Sequence, residues 1–364
     1  MYKSICFITQ FPPPIHGLSK AVETLFNSPL KDKYHFGKIN ITNNRMILLN
    51  LLKIAFSKYD LYYFTISQTK GGNWRDLVIL KLLEWKRAKC LIHLHGGYYR
   101  KLIDNDCGNR QRELNYKAIK RIAGCIVLGA SLKSIFEGLT DKEKIFVVPN
   151  CVDNQYLLPL SLLEEKVNRI RNSNRLNILY LSNFIETKGY REVLQLALMA
   201  KDNQWKHIQF HFAGKFFAKE EEDFFFGFIE SNQLKEYITY HGIVSGNKKK
   251  NLLQQCHLFV LLTRYPNEGQ PISILEAMGN AMGIITTDHA GIPDIVKDRA
   301  NGLMVNKNDI QLKQIFDYIQ YLDLHREALQ RICKTNYSVA NTRYTEAQYI
   351  SNMDNVFHTV LNHD

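Results

Sequence analysis

The sequence predicts an α/β fold made of two doubly wound, parallel-sheet domains. Three observations carry that expectation. Short apolar runs alternate with helical patterns along nearly the whole chain, as parallel strands covered on both faces require. The series is interrupted by a polar stretch at 164–175 and then starts again. With 364 residues and 45% apolar content, the chain can fill two cores.

The elements follow in order. Ser4–Thr9 reads as a first buried strand, followed by a Pro-rich loop and a helix near 18–27. Residues 61–65, 90–94, 124–128 and 145–148 are further buried strands, with basic helical patterns at 74–88 and 109–123. Residues 164–175 read as a linker. The second series has strands at 177–181, 209–213, 237–241, 258–262 and 283–287, and 341–361 reads as a final helix. The expected domains are 1–165 and 170–338, with the tail 341–364 packing back onto the first. Ligands of open α/β sheets bind beyond the carboxyl ends of the strands, so a cleft between the domains is the expected site.

Composition narrows the function classes. The formal net charge of +12 favours an anionic partner: nucleic acid, an anionic membrane face or a phosphorylated substrate. Seven scattered cysteines without a CxxC pair argue for a reducing compartment and against a disulfide framework or zinc site. The N-terminus reads as a strand and not a signal peptide. No apolar run approaches the roughly 20 residues that span a bilayer, so any membrane contact is peripheral.

The most informative segment is NEGQPISILEAMGNAMGIITTDHAGIPDIVKDRANGLMV, residues 267–305. Pro271 and Pro293 each sit where proline opens a helix. A helix opening at Pro271 aims free N–H groups, beginning with Ile272, at any nearby anion. Glu268 lies on the loop before it, Gly269 and Gln270 form the turn, and Glu276 lies inside the helix. A ligand with a phosphate in the middle and hydroxyls at both ends fits; a nucleotide-sugar is such a ligand. The two glutamates read as spaced along an extended ligand more than as a hydrolytic pair flanking one bond.

Other candidates come from strand ends. Lys188, before Gly189 in LSNFIETKGY, stands at a strand-to-helix junction where a lysine can neutralise a diphosphate. Gly17 ends the loop PPPIHG and lets backbone approach a ligand. The absence of GxGxxG disfavours a dinucleotide oxidoreductase. In HLHGGYYR, His95 reaches the sheet edge, while His93 reads as a core histidine. Asp104-Asn105-Asp106 reads as a polar loop and not a metal site, Lys248-Lys249-Lys250 as a solvated helix face, and the phenylalanines at 224, 225, 226 and 228 as core packing. Basic residues from Lys81 to Arg121, with Tyr98, Tyr99 and Tyr116, suit an anionic membrane surface; no nucleic-acid motif accompanies them.

These residues together resemble the retaining glycosyltransferases of family 4, which have the GT-B architecture of two Rossmann-like domains facing a central cleft. EGQPISILEAM carries the family's E-x7-E pattern in Glu268 and Glu276. AGIPDIV and NGLMV resemble its next segment. KIFVVPNCVD resembles its Val-Ile-Pro-Asn-Gly-Val-Asp signature, with Cys151 in place of glycine. PPPIHG and LHGG resemble its glycine and histidine loops.

The resemblance implies that Glu276 holds the ribose hydroxyls and Glu268 the donor sugar. It further implies that Lys188 binds the diphosphate, Gly17 approaches the phosphate and His95 lies near the reacting sugar. Gly269, Gln270, Pro271 and Ile272 complete the donor-binding turn. Asn183, five residues before Lys188, stands where the family often carries arginine.

The implied activity is transfer of a hexose-type sugar, with retention, from a nucleotide-diphosphate sugar of the UDP type. The implied acceptor is a saccharide or lipid-linked saccharide of bacterial surface polysaccharide. No cofactor or divalent metal is expected, and no nucleic-acid partner. The expected location is cytoplasmic, peripheral at the inner face of the plasma membrane. Competing readings are a nucleotide-sugar epimerase or phosphorylase of the same fold, and a non-catalytic nucleotide-sugar-binding or nucleic-acid-binding module.

Overall fold

The structure is a computed structural model that describes residues 2–13 and 17–362. The chain forms two compact units, Met1–Cys151 with Glu346–Asp364, and Val152–Thr345. Each holds a six-stranded sheet whose neighbouring strands are all parallel. The expected α/β class with two doubly wound sheets is observed.

The first unit runs β1 (Ser4–Thr9), α1 (Gly17–Phe26), β2 (His35–Asn40), α2 (Ile47–Phe56), β3 (Leu61–Thr65), α3 (Lys70–Trp85) and β4 (Cys90–His93). A one-turn α4 (Tyr99–Lys101), α5 (Asn109–Lys120), β5 (Gly124–Val127) and β6 (Ile145–Val147) follow. Its sheet order is β2-β1-β3-β4-β5-β6. Strand β2 was not among the expected strands. It lies at the sheet edge, and its exposed His35, Lys38 and Asn40 alternate with buried Gly37 and Ile39, which hides the apolar signal.

The second unit runs α6 (Leu160–Asn172), β7 (Leu176–Leu181), α7 (Tyr190–Asp202), β8 (Ile208–Ala213), α8 (Lys219–Ser231), β9 (Ile238–Tyr240) and α9 (Gly246–Gln255). Then come β10 (Leu258–Leu261), α10 (Ile272–Gly279), β11 (Gly283–Thr287), the short α11 (Ile292–Ile295), β12 (Gly302–Val305), α12 (Leu312–Leu324) and α13 (Arg326–Arg343). The sheet order β12-β11-β10-β7-β8-β9 reverses between β7 and β10. That reversal leaves a crevice beyond the carboxyl ends of these two strands.

Three sequence expectations change. The linker at 164–175 is largely the helix α6, which buries Lys166, Val167 and Ile170 and belongs to the second unit. Its polarity misleads because Lys166 donates to the carbonyls of Leu253, at 2.9 Å, and Asn280, and burial pulls its pKa down to about 8. The units therefore divide at Cys151–Val152 and not near 165. The tail helix returns to the first unit as expected but starts later: α13 ends at Arg343, and α14 is Glu346–Asn362.

Of the phenylalanines in α8, Phe225 is core, while Phe224 and Phe226 are exposed at 37% and 44%. Phe224 carries the Arg191 guanidinium 4.2 Å above its ring. All seven cysteines are buried, and none of the described residues forms a disulfide.

Helix α14 is integral to the first core. Tyr349, Met353, Phe357 and Leu361 repeat at helical spacing and pack among Phe7, Tyr63 and Leu91. The Phe357 ring stands edge-on to Tyr63 at 6.1 Å and to Tyr34 at 5.9 Å. Truncating it to alanine opens a cavity between helix and sheet. Phe357→Ala should destabilise the first unit by about 3–5 kcal/mol, read as a lower urea midpoint, whereas Leu324→Ala, at an exposed position, should leave the midpoint within error.

Candidate donor-binding edge of the second unit

The loop after β7 and the end of β8 each carry a position that only glycine fits, Gly189 and Gly214. Gly189 has φ of +82°, and a Cβ there would lie 2.4 Å from the carbonyl oxygen of Leu262. A Cβ on Gly214 would lie 1.8 Å from the carbonyl oxygen of Ser182. Bare backbone at Gly189 lets the loop after β7 press against the end of β10. The Arg264 N–H donates to the Thr187 carbonyl at 2.6 Å across the same junction. The two loops flanking the topological switch are thus in direct contact.

Lys188 and Glu268 meet there. The lysine Nζ lies 2.6 Å from Glu268 Oε2, and both side chains are largely buried. Thr263 donates to the same carboxylate oxygen at 3.1 Å, and the ammonium sits 4.6 Å from the Tyr265 ring centroid. Asn183 is exposed at the end of β7; its carbonyl accepts from the Tyr180 hydroxyl at 3.0 Å.

The loop 267–271 is fixed from the other side. The Gly291 N–H donates to the Gly269 carbonyl at 2.8 Å, joining the two proline-bearing turns. His289 Nε2 is 2.8 Å from the Tyr265 carbonyl oxygen. Gln270 is buried. Pro271 caps α10 with φ of −64°, and the N–H groups of Ile272 and Ser273 fall in the first turn, where no intrahelical acceptor exists. Pro293 likewise sits in the first turn of α11.

Glu276 is inside α10 and 4% exposed. Its Oε1 accepts from Lys249 Nζ at 2.6 Å. Lys249 lies 4.3 Å from the ring centroid of Tyr156. The Asn280 amide ties the same ring's backbone to α10, donating to the Tyr156 carbonyl at 2.6 Å. Burial raises the Glu276 carboxyl above the ordinary glutamate value, while Lys249 opposes that rise.

Lys249 therefore corrects the reading of Lys248-Lys249-Lys250 as a solvated face. Helix α9 buries Leu252 and Leu253, which stand three and four residues after Lys249 and so share its face. That spacing was the available signal.

The remaining candidates lie in the first unit. Gly17 opens α1 and is exposed; Pro14, Ile15 and His16 of its loop fall outside the described residues. His95 follows β4 and is half-buried, its ring 3.9 Å from that of His93. His93 is fully buried, with Nδ1 2.7 Å from the Tyr63 hydroxyl, and burial pushes its pKa well below the histidine range.

Asp104 is held by Arg100 at 2.5 Å and Tyr116 at 2.9 Å, within the helical turn Leu102–Asp106 and not in an open loop. Part of the basic stretch serves the fold: Lys89 donates to the Leu361 carbonyl at 3.2 Å, and Lys86 to that of Ser57 at 2.5 Å.

The Lys249–Glu276 pair has a pH signature. A folded-state pKa raised above the unfolded value contributes stability below the unfolded pKa, and that contribution is lost as pH rises through the folded pKa. Lys249→Met removes the opposing cation and raises the Glu276 carboxyl further. The variant should lose about 3 kcal/mol at pH 8. Its melting temperature should fall steeply between about pH 5 and pH 8 while the parent stays flatter, as checked by thermal melts across that range. Parallel profiles would show that Glu276 is not the group responsible.

Residues 164–338 match the model of the family described as glycosyl transferases group 1. A Salmonella typhimurium protein assigned to colanic acid biosynthesis as the glycosyltransferase WcaL is 32% identical over 87 residues, 23% of this chain and 21% of its own length. An uncharacterized 41.2 kDa Klebsiella pneumoniae protein from the cps region is 24% identical over 286 residues, 74% of this chain and 72% of its own.

Among solved structures, Anabaena HepE in complex with UDP superposes with a TM-score of 0.76 at 14% identity, covering 98% of this chain and 100% of that one. Sucrose-phosphate synthase from Thermosynechococcus elongatus gives a TM-score of 0.74 at 13% identity, covering 98% and 99%. Both likenesses concern the fold. Residues 164–338 thus form a domain of the group 1 glycosyl transferases, and the two Rossmann-like units carry the GT-B fold.

Proposed function

We propose that the protein transfers a hexose-type sugar, with retention of configuration, from a UDP-type nucleotide sugar to a saccharide or lipid-linked saccharide acceptor in bacterial surface polysaccharide synthesis. The observation that carries this reading is the pair of lysine–glutamate contacts flanking the N-terminus of α10 beside the β7/β10 switch. One anion-accepting helix end stands between two carboxylates that can each accept from hydroxyls. HepE was solved with UDP and with UDP-glucose, which supports the donor class. The colanic acid and cps relatives support the polysaccharide context.

In this reading Glu276 accepts from the ribose hydroxyls and Glu268 from the donor sugar. Lys188 exchanges part of its contact with Glu268 for the diphosphate. Gly269, Gln270, Pro271 and Ile272 shape the turn over the phosphates, and Gly17 and His95 act from the first unit.

The bond from the anomeric carbon to the diphosphate oxygen breaks, and the acceptor hydroxyl oxygen bonds to the same face of that carbon. Its proton passes to the departing phosphate oxygen. Negative charge developing on the diphosphate is met by Lys188 and the first-turn N–H groups, without a divalent metal. With Asn183 where the family often has arginine, that duty rests more heavily on Lys188. The enzyme works in the cytoplasm at the inner membrane face.

Donor screening tests the class: UDP-sugars should raise the melting temperature more than GDP- or dTDP-sugars, because a bound donor stabilises by mass action. Glu276→Ala should weaken UDP binding at least about tenfold, equivalent to about 1.4 kcal/mol by calorimetry. Unchanged affinity would sink the ribose assignment. Isomerised donor without a new glycoside would show an epimerase.

A further inference from the structure

Helix α2, ILLNLLKIAF, is among the most apolar helices of the chain, yet it buries only Asn50 and Ile54 of its ten residues. Leu48, Leu52 and Phe56 recur every four residues along one face and are 74%, 54% and 84% exposed. On α3, Trp74, Val78 and Trp85 form a second exposed stripe, with Lys81 between them. Single exposed apolar residues need no explanation; two adjacent helical stripes do.

The two helices are tied side by side at both ends. Arg75 Nη1 donates to Asn44 Oδ1 at 3.3 Å near their starts. Near their ends, Lys86 Nζ donates to the carbonyls of Ile54 and Ser57, the latter at 2.5 Å. The face is therefore a fixed platform of the fold.

Charge indicates its occupant. Residues 44–89 hold nine basic and three acidic side chains. The three acids are engaged within the protein: Asp76 by Arg75, Glu84 by Lys81 and Arg121, and Asp60 by Ser4. Arg45, Lys53, Lys58 and Arg87 are exposed around the apolar stripes. Leucine, phenylalanine and tryptophan rimmed by lysine and arginine match the acyl–headgroup boundary of an anionic bilayer. Among the described residues no helix is long and apolar enough to cross a membrane, so the contact lies in the interface plane.

We propose that the α2–α3 face docks the protein on an anionic phospholipid surface, with Leu48, Phe56 and Trp85 inserted below the headgroups. At Lys81, Lys86 and Arg87 this surface meets the basic stretch Lys81–Arg121, while α2 and its apolar stripe lie outside that stretch. It does not rest on the donor assignment.

The test is co-sedimentation of the full chain with vesicles of phosphatidylcholine alone or with phosphatidylglycerol. The parent should partition onto phosphatidylglycerol vesicles, with binding weakened by salt and a blue-shifted tryptophan emission. Leu48→Ser combined with Phe56→Ser and Trp85→Ser should reduce partitioning at least about tenfold with an unchanged melting temperature. Arg45→Gln with Lys53→Gln and Lys58→Gln should lower binding to anionic vesicles and remove most of its salt dependence.

Equal partitioning of parent and apolar variant would overturn the proposal, as would no preference for phosphatidylglycerol. So would a dimer, seen by light scattering, that the apolar variant dissolves while vesicles go unbound. The readout needs no turnover, so failure here is separate from failure of the donor reading.

Discussion

The close approach of two loops at the β7/β10 switch is the constraint on which the rest of the site depends. A parallel sheet that reverses strand order leaves two loops diverging from adjacent strand ends, normally with a gap between them. Here Gly189 removes that gap, because only a residue without Cβ can lie against the Leu262 carbonyl. Lys188, adjacent in sequence, is thereby delivered to Glu268 at 2.6 Å. The loop after β10, which carries Glu268, leads into Pro271 and α10, so the cation, the carboxylate and the helix N-terminus share one anchor. Any larger residue at position 189 would move all three at once.

Much of this edge was legible in the sequence for a physical reason. Prolines and glycines punctuate turns independently of tertiary context, so the loop after β10 and the start of α10 could be placed before the structure was known. Strands β1, β3 and β11 were equally plain, being short apolar runs bounded by turn residues and buried throughout or nearly so.

What stayed hidden depends on contacts distant in sequence. Lys166 and Lys249 look solvated because lysine usually is. Each is held by a partner more than twenty residues away, the carbonyls of Leu253 and Asn280 for one and the Glu276 carboxylate for the other. Strand β2 hid for the opposite reason, since an edge strand needs few apolar residues.

The two ion pairs are poor candidates for sources of stability. Desolvating a carboxylate and an ammonium costs several kcal/mol each, and their attraction often does no more than offset it. Glu276 carries that cost visibly, in a carboxyl raised by burial despite a lysine at 2.6 Å. A well-packed apolar residue inside α10 would serve the core at least as well. A carboxylate kept under those conditions is more economically explained by a ligand that needs an acceptor there. On the proposed reading, the lysines hold both glutamates oriented until hydroxyls arrive, which reduces the reorganisation that binding requires.

The net charge has a different origin from the one the composition first invites. A basic protein with a diphosphate ligand tempts one to assign the charge to the ligand site. The unit that carries the α10 edge holds 23 basic and 21 acidic residues, close to balance. The other unit holds 24 basic and 14 acidic residues, nearly the whole excess. Short-range pairs and helix N–H groups suffice for a buried phosphate, since they act over a few ångströms in a dry crevice. A diffuse excess spread over one unit acts over a Debye length, roughly 8–10 Å, and is suited to an extended anionic surface. The same unit exposes the two apolar stripes of α2 and α3. On the proposed readings, the charge and the apolar side chains that meet a bilayer thus occur in one unit, and the two lysine–glutamate pairs of the α10 edge in the other.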